Sequence, residues 1–129
     1  MELVGVVCSG LAEAALFIRQ PRYNQMLWLR LGRPVYPGTL NVLLDGENLE
    51  QWRKIKEKPH SRIRGFEANG ESFGGISLWQ AKVGELDALI IWPEKSRHSD
   101  EVVEVVAGHP LKTRLGLKDG DEIRITVLE

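Results

Sequence analysis

Apolar positions along this chain mostly alternate with a period of two, the spacing of half-buried strands, and only one stretch keeps the spacing of a helix. Glu2 to Cys8 reads as a Val-rich first strand. Helical spacing holds over Pro21 to Leu31, where Tyr23, Leu27 and Leu31 recur at every fourth residue with Met26 beside them, so one face is expected to pack inward. Pro21 opens that helix and Gly32 is placed to cap it. A strand is predicted over Thr39 to Leu44, and a short helical or irregular turn over Asn48 to Ile55. Ile63 to Ala68 and Glu71 to Ala81 read as strands joined by Asn69-Gly70, a strong hairpin signal because both central residues of the turn need positive φ. Leu86 to Trp92 is an apolar run suited to a strand buried on both faces, Pro93 to Asp100 a polar loop, and Glu101 to Ala107 another strand. Leu117 to Asp121 is a turn into Glu122 to Leu128, which alternates Ile123, Ile125 and Val127 against Arg124 and Thr126.

Many short strands, few helices and no internal repeat point to a mainly β fold, a small closed barrel that removes its own edges, with one or two short helices. The 129 residues, 43% hydrophobic and 27% charged, suit one compact domain spanning 1–129. Net charge is −1, so no overall field favours nucleic acid or anionic lipid, and any charged partner must be met locally. Cys8 is the only cysteine, which excludes an intramolecular disulfide. With no bilayer-length apolar run and no signal-peptide pattern at Met1-Glu2, the expected setting is a reducing cytoplasm, without membrane partners, as a monomer or weak oligomer. Cys8 itself reads as a small strand residue.

Tyr36-Pro37-Gly38-Thr39-Leu40-Asn41 carries the first candidate chemistry. A Pro-Gly turn leads into a strand whose alternate residues Thr39 and Asn41 put two neutral oxygen donors on one face, a pair that can hold Mg²⁺ beside a phosphate. An isolated T-x-N more often only satisfies backbone groups near a turn. Glu104 lies among Val102, Val103, Val105 and Val106, and simple alternation leaves it facing either solvent or a pocket. His60, His98 and His109 lie in different loops without zinc-ligand spacing and read as surface residues. Core packing is expected for Trp28, Trp52, Trp79 and Trp92. Arg53, Lys54, Lys56, Lys58, Arg62 and Arg64 crowd one region, but a short run of this kind is usually a solvated face, so no nucleic-acid partner is expected. Neither a G-x-x-x-x-G-K-[ST] loop nor the protein-kinase motif set is present.

A strand ending in Ser9-Gly10-Leu11-Ala12-Glu13-Ala14, a helix, the Y-P-G-T-L-N-V strand and a late H-S-x-E-V-V-E-V-V segment resemble, in this order, the archaeal-type CTP-dependent riboflavin kinases over nearly the whole chain. The resemblance implies a six-stranded cradle-loop barrel that transfers the γ-phosphoryl group of CTP to the ribityl 5′-hydroxyl of riboflavin, giving FMN and CDP with Mg²⁺ as cofactor. By the same resemblance, Gly10, Leu11, Ala12, Glu13, Ala14 and Ala15 form a loop around the nucleotide, and Pro110, Leu111 and Lys112 close on it. Thr39 and Asn41 bind the metal, and Ser96 and Glu104 contact the flavin, Glu104 being also the candidate catalytic group. The family loop is normally S-G-L-G-E-G, so Ala12 and Ala14 stand where it has glycine; at a position needing positive φ, each would cost on the order of 1 to 2 kcal/mol. That departure keeps open a second expectation, a barrel that binds flavin or nucleotide without turning it over.

Overall fold

The computed structural model describes residues 1–9, 18–94 and 99–129, and the statements below concern those. Nine strands and three helices follow in the order β1 (Glu2–Cys8), α1 (Pro21–Leu31), β2 (Leu40–Leu43), α2 (Gly46–Lys56), β3 (Ser61–Ile63), β4 (Phe66–Ala68), β5 (Glu71–Phe73), β6 (Ile76–Val83), β7 (Leu86–Pro93), β8 (Val102–Ala107), α3 (Leu111–Arg114) and β9 (Glu122–Val127). Strands pair antiparallel in the order β6-β7-β8-β2-β1-β9, and β9 returns to β6 through Ala81↔Val127 and Lys82↔Thr126. The sheet is thereby a closed six-stranded barrel, as expected. β3 adds outside the ring, on β6, and β4 and β5 form a separate hairpin.

Period-two patterning sorts the strand residues into an inner and an outer set. Leu3, Val7, Leu40, Val42, Trp79, Ile90, Val103, Val105, Ile123 and Ile125 fill the interior with Trp52 from α2. Trp52 meets Trp79 edge-on at 4.8 Å between ring centroids, and the Trp79 indole N–H donates to the Ile55 carbonyl at 2.9 Å. Each aliphatic side chain buried this way stabilises the fold by about 1.5–3 kcal/mol before entropy is counted. A second apolar cluster lies on the outer wall, where Tyr23 and Leu27 of α1 cover Leu78, Leu89, Ile91 and Val106. β7 and β8 are therefore buried on both faces, which explains their near-continuous apolar runs.

The α1 reading holds from end to end, including Gly32 at φ 84° and its N–H bonded to the Trp28 carbonyl. Asn69 (φ 53°) and Gly70 (φ 78°) make the anticipated turn. The long strands on either side of it are interrupted, however: the chain leaves the extended ladder near Gly65 and at Gly74-Gly75, so β4 and β5 pair with each other while β3 and β6 form another ladder. α2 is longer than the short turn anticipated, and α3 adds a single turn at Leu111–Arg114, making three helices rather than one or two. Trp28 is a correction: it is 49% exposed, because the buried stripe of α1 runs through Tyr23 and Leu27 and leaves position 28 on the solvent side.

Candidate active site on the outer wall

Thr39 is delivered by the turn predicted for Pro37-Gly38. The Gly38 N–H bonds back to the Tyr36 carbonyl at 2.8 Å, a three-residue turn centred on Pro37, whose ring presets the backbone for it. The Tyr36 N–H bonds to the Ala107 carbonyl at 2.8 Å, pinning this turn to the end of β8. β2 then alternates Leu40 and Val42 inward, so Thr39 and Asn41 project from the outer wall.

Register places Asn41 directly opposite Glu104 on β8, and Glu104 shares its outward parity with Val106. Glu104 is 1% exposed, which decides between the two orientations that alternation left open: it faces outward from the barrel, yet away from solvent. The Thr39 hydroxyl donates to Glu104 Oε1 at 3.4 Å. Asn41 is also buried, and its Oδ1 has no hydrogen-bond donor among the described residues. A buried carbonyl oxygen without a donor is costly, and a ligand in this place relieves it. An amide oxygen, a hydroxyl and a carboxylate on one face fit a hard, oxygen-seeking cation such as Mg²⁺.

Thr39 also borders a cavity of about 120 Å³ formed with Leu40, Val105, Pro110, Leu111 and Lys112. Pro110, Leu111 and Lys112, which the resemblance gives to a loop over the nucleotide and which here form the cap and first residues of α3, thus adjoin Thr39, a metal-ligand candidate. Lys112 Nζ donates to Asp119 at 2.6 Å, and the Ser9 hydroxyl donates to the other oxygen of that carboxylate at 2.5 Å. These two hydrogen bonds, Lys112 first, hold the Asp119 carboxyl below its ordinary pKa. The turn carrying Asp119 is fixed to β1 by Gly120 N–H to Val7 O and Val7 N–H to Asp121 O, both 2.8 Å. Asp119 therefore ties Ser9, the last residue described before position 10, to the cation Lys112 of α3. Nothing in the linear pattern singled out Asp119, whose bond to Ser9 joins residues 110 positions apart. A larger hollow of about 630 Å³ is walled by residues including Ile18, Asn24, Trp28 and Pro37, and contains none of Thr39, Asn41 and Glu104.

Gly10, Leu11, Ala12, Glu13, Ala14, Ala15 and Ser96 lie outside the described residues. Cys8 sits opposite Asn41 on the same wall; burial first, and then the negative charge of Asp119, push its thiol pKa up, against the activation a nucleophilic cysteine needs. In the basic region Arg53 grips Asp100 through two hydrogen bonds of 3.0 and 3.1 Å, Arg62 pairs with Glu94, and the Lys56 ammonium lies 3.9 Å from the centre of the Trp92 ring. Half of that cluster is thus engaged within the protein. No helix among the described residues is long and apolar enough to cross a membrane.

Fold and site define a class: a small closed antiparallel barrel whose oxygen-rich site stands on the outer wall, the lumen being filled with side chains. Residues 7–127 match the family model CTP-dep_RFKase, whose description reads "Domain of unknown function DUF120". The chain belongs to this CTP-dependent riboflavin kinase family. It is 36% identical over 128 residues to a riboflavin kinase of Pyrobaculum arsenaticum, covering 99% of this chain and 61% of that protein. To a riboflavin kinase of Ignicoccus hospitalis it is 33% identical over 127 residues, covering 98% and 71%. A Methanosarcina acetivorans riboflavin kinase is 34% identical over 123 residues, 95% of this chain and 52% of that protein. The chain thus spans about 61% of the length of the Pyrobaculum relative.

Proposed function

We propose that this chain phosphorylates riboflavin, forming a bond between the ribityl 5′-oxygen and the γ-phosphorus of CTP as the bond from that phosphorus to the β-γ bridging oxygen breaks, with FMN and CDP as products. The observation that carries the reading is the placement of Thr39, Asn41 and the buried Glu104 on one face beside the Lys112 cavity. Glu104 receives the proton of the 5′-hydroxyl or holds that hydroxyl in line, and its burial keeps bulk water from competing for either task. Lys112 meets phosphate oxygens as a point charge. Thr39 and Asn41 would hold Mg²⁺, which when bound neutralises charge on the phosphates. The remaining nucleotide contacts fall to Gly10–Ala15, Pro110 and Leu111, and the further flavin contact to Ser96. The reading includes a single domain over 1–129 and a cytoplasmic setting in keeping with the lone Cys8.

A second reading, a flavin- or nucleotide-binding barrel without turnover, is favoured only by Ala12 and Ala14 in the nucleotide loop. One experiment separates the two. Purified protein is incubated with riboflavin, Mg²⁺ and, in separate reactions, CTP, ATP, GTP or UTP, and FMN is sought by chromatography. FMN with CTP supports the kinase; flavin binding without FMN from any donor supports the binding barrel.

A further inference from the structure

Cys8, Asn41 and Glu104 stand side by side on three neighbouring strands, since register sets Cys8 opposite Asn41 and Asn41 opposite Glu104. Residues paired in this way share one face of a sheet, here the outer wall. Phosphoryl transfer built on Thr39, Asn41 and Glu104 makes no use of the sulfur. Cys8 is half-buried; burial and then the charge of Asp119 raise its thiol pKa, yet Asp119 is itself engaged by Lys112 and Ser9. A cysteine alone marks no site. Beside this one, however, the buried Asn41 keeps an Oδ1 that no donor among the described residues satisfies, so a thiol and an unpartnered carboxamide oxygen share one place.

We propose that Cys8 adds a second metal preference to this wall: a thiophilic divalent cation such as Zn²⁺ or Cd²⁺ binds between the Cys8 sulfur, Asn41 Oδ1 and the Glu104 carboxylate, and thereby competes with Mg²⁺. Neighbouring strands lie about 4.8 Å apart, so an ion over Asn41 stands about one strand spacing from Cys8 and from Glu104 alike. Thiolate bonds zinc at about 2.3 Å and carboxylate at about 2.1 Å, which a short side chain on one flank and a longer one on the other can meet from that spacing. Charge matches as well, because one thiolate and one carboxylate neutralise a divalent ion and leave the amide as a neutral donor. Binding sends the thiol proton to solvent, since the thiolate is the form that coordinates. Softness decides the ion. Sulfur favours zinc and its softer relatives, whereas the oxygens alone suit Mg²⁺. Among the described residues no three His, Cys, Asp or Glu side chains form a metal-binding group, so a site for such an ion has to draw on an amide oxygen, as this one does. Asn41 serves both ions, which therefore exclude each other. The binding rests on the geometry; its consequence for turnover rests on the riboflavin kinase reading.

The test titrates Cd²⁺ into the fully reduced full-length protein, wild type and the variants Cys8→Ser, Cys8→Val and Asn41→Leu, and follows the ultraviolet charge-transfer band of a cadmium–thiolate bond. Wild type is expected to take up one Cd²⁺ per chain with the band present. Cys8→Ser should lose the band and weaken Cd²⁺ binding at least about tenfold, and Asn41→Leu, which keeps the thiol, should weaken it to a similar degree. Cys8→Val suits a Val-rich strand and carries the test if Cys8→Ser folds poorly. No band in folded wild-type protein overturns the proposal, as does a band whose affinity Asn41→Leu leaves unchanged, since Cys8 would then bind as a solitary thiol. One Cd²⁺ per two chains overturns it too, because a thiolate bridge between copies would explain the band. In the FMN assay with CTP, Cd²⁺ should inhibit wild type, added Mg²⁺ should relieve the inhibition, and Cys8→Ser should need several-fold more Cd²⁺; equal inhibition of the two proteins overturns the competition. A wild-type protein that makes no FMN even without Cd²⁺ defeats the kinase reading, while the Cd²⁺ titration still decides the metal site.

Discussion

Asn41 and Glu104 face each other in register across β2 and β8, both buried on the outer wall of a barrel whose interior is apolar. A carboxamide and a carboxylate so placed do little for the core. The burial of Asn41 has a functional reading, because its Oδ1, an acceptor without a donor among the described residues, weakens the free protein and is relieved when a ligand arrives.

Glu104→Gln keeps the shape and removes the proton acceptor. Turnover to FMN is expected to fall on the order of 100-fold, with riboflavin binding largely retained. Steady-state kinetics beside a binding titration checks it; unchanged kcat would remove Glu104 from the chemistry.

Asn41→Leu separates activity from stability. The substitution removes a buried oxygen that has no donor among the described residues, so the melting temperature should hold or rise. The Mg²⁺ concentration for half-maximal activity should rise by at least about tenfold, the size of effect that even indirect supports of a metal site show. A calorimetric melt and an Mg²⁺ titration of FMN formation decide it.

Asp119→Ala releases Lys112 and Ser9 together. If Lys112 meets the nucleotide as proposed, KM for CTP should rise several-fold while KM for riboflavin stays put, because the bonds released are those of Lys112 and Ser9 and not those of Glu104. Steady-state assays with each substrate varied in turn show whether the change stays on the CTP side. Since hydrogen bonding lowers the Asp119 pKa, its carboxylate remains charged above the ordinary value of about 3.9, and the tie persists throughout the neutral range.

Gly5→Ala tests the seam between β1 and β2. An added Cβ would stand 2.5 Å from the Leu43 carbonyl oxygen and 2.6 Å from a Val42 methyl, so the strands must separate, at about 1–3 kcal/mol. A lowered urea midpoint with an unchanged slope is the expected result.

Asp100 offers a pH test with a definite sign. Its hydrogen bond from Arg53 lowers its folded pKa, so the stabilisation is full above the unfolded value near 3.9 and is lost as pH falls through the lower folded value. Asp100→Asn should reduce stability at neutral pH and flatten the acid limb of the unfolding profile below about pH 4. The pair is partly exposed, so the effect should be small and weaken with salt.

The strands were legible wherever one face of the sheet is wet. β9 alternates buried Ile123, Ile125 and Val127 with more accessible residues, and the sequence says so directly. Thr39 and Asn41 were legible because a local turn and a two-residue period place them. The orientation of Glu104 was not, since α1 covers much of the outer wall and valines surround it on both faces. The Asp119 tie depends on register between distant strands, and the breaks at Gly65 and Gly74-Gly75 on backbone departures that hydrophobic period does not encode.

Closure of the barrel also constrains how the site comes into being. Thr39 and Glu104 are 65 residues apart, and the strands that carry them meet only when β8 docks on β2. Such long-range pairing must overcome loop-closure entropy before it yields any contact, which makes folding slow relative to a helical domain of the same size. No early hairpin contains the site: β4–β5 and β6–β7 can form locally, but neither brings Asn41 to Glu104. Binding competence should therefore arrive with the cooperative folding step, and a ligand engaging Asn41 and Glu104 together would act as a clamp on the whole barrel, slowing its unfolding and amide exchange even in strands it does not touch.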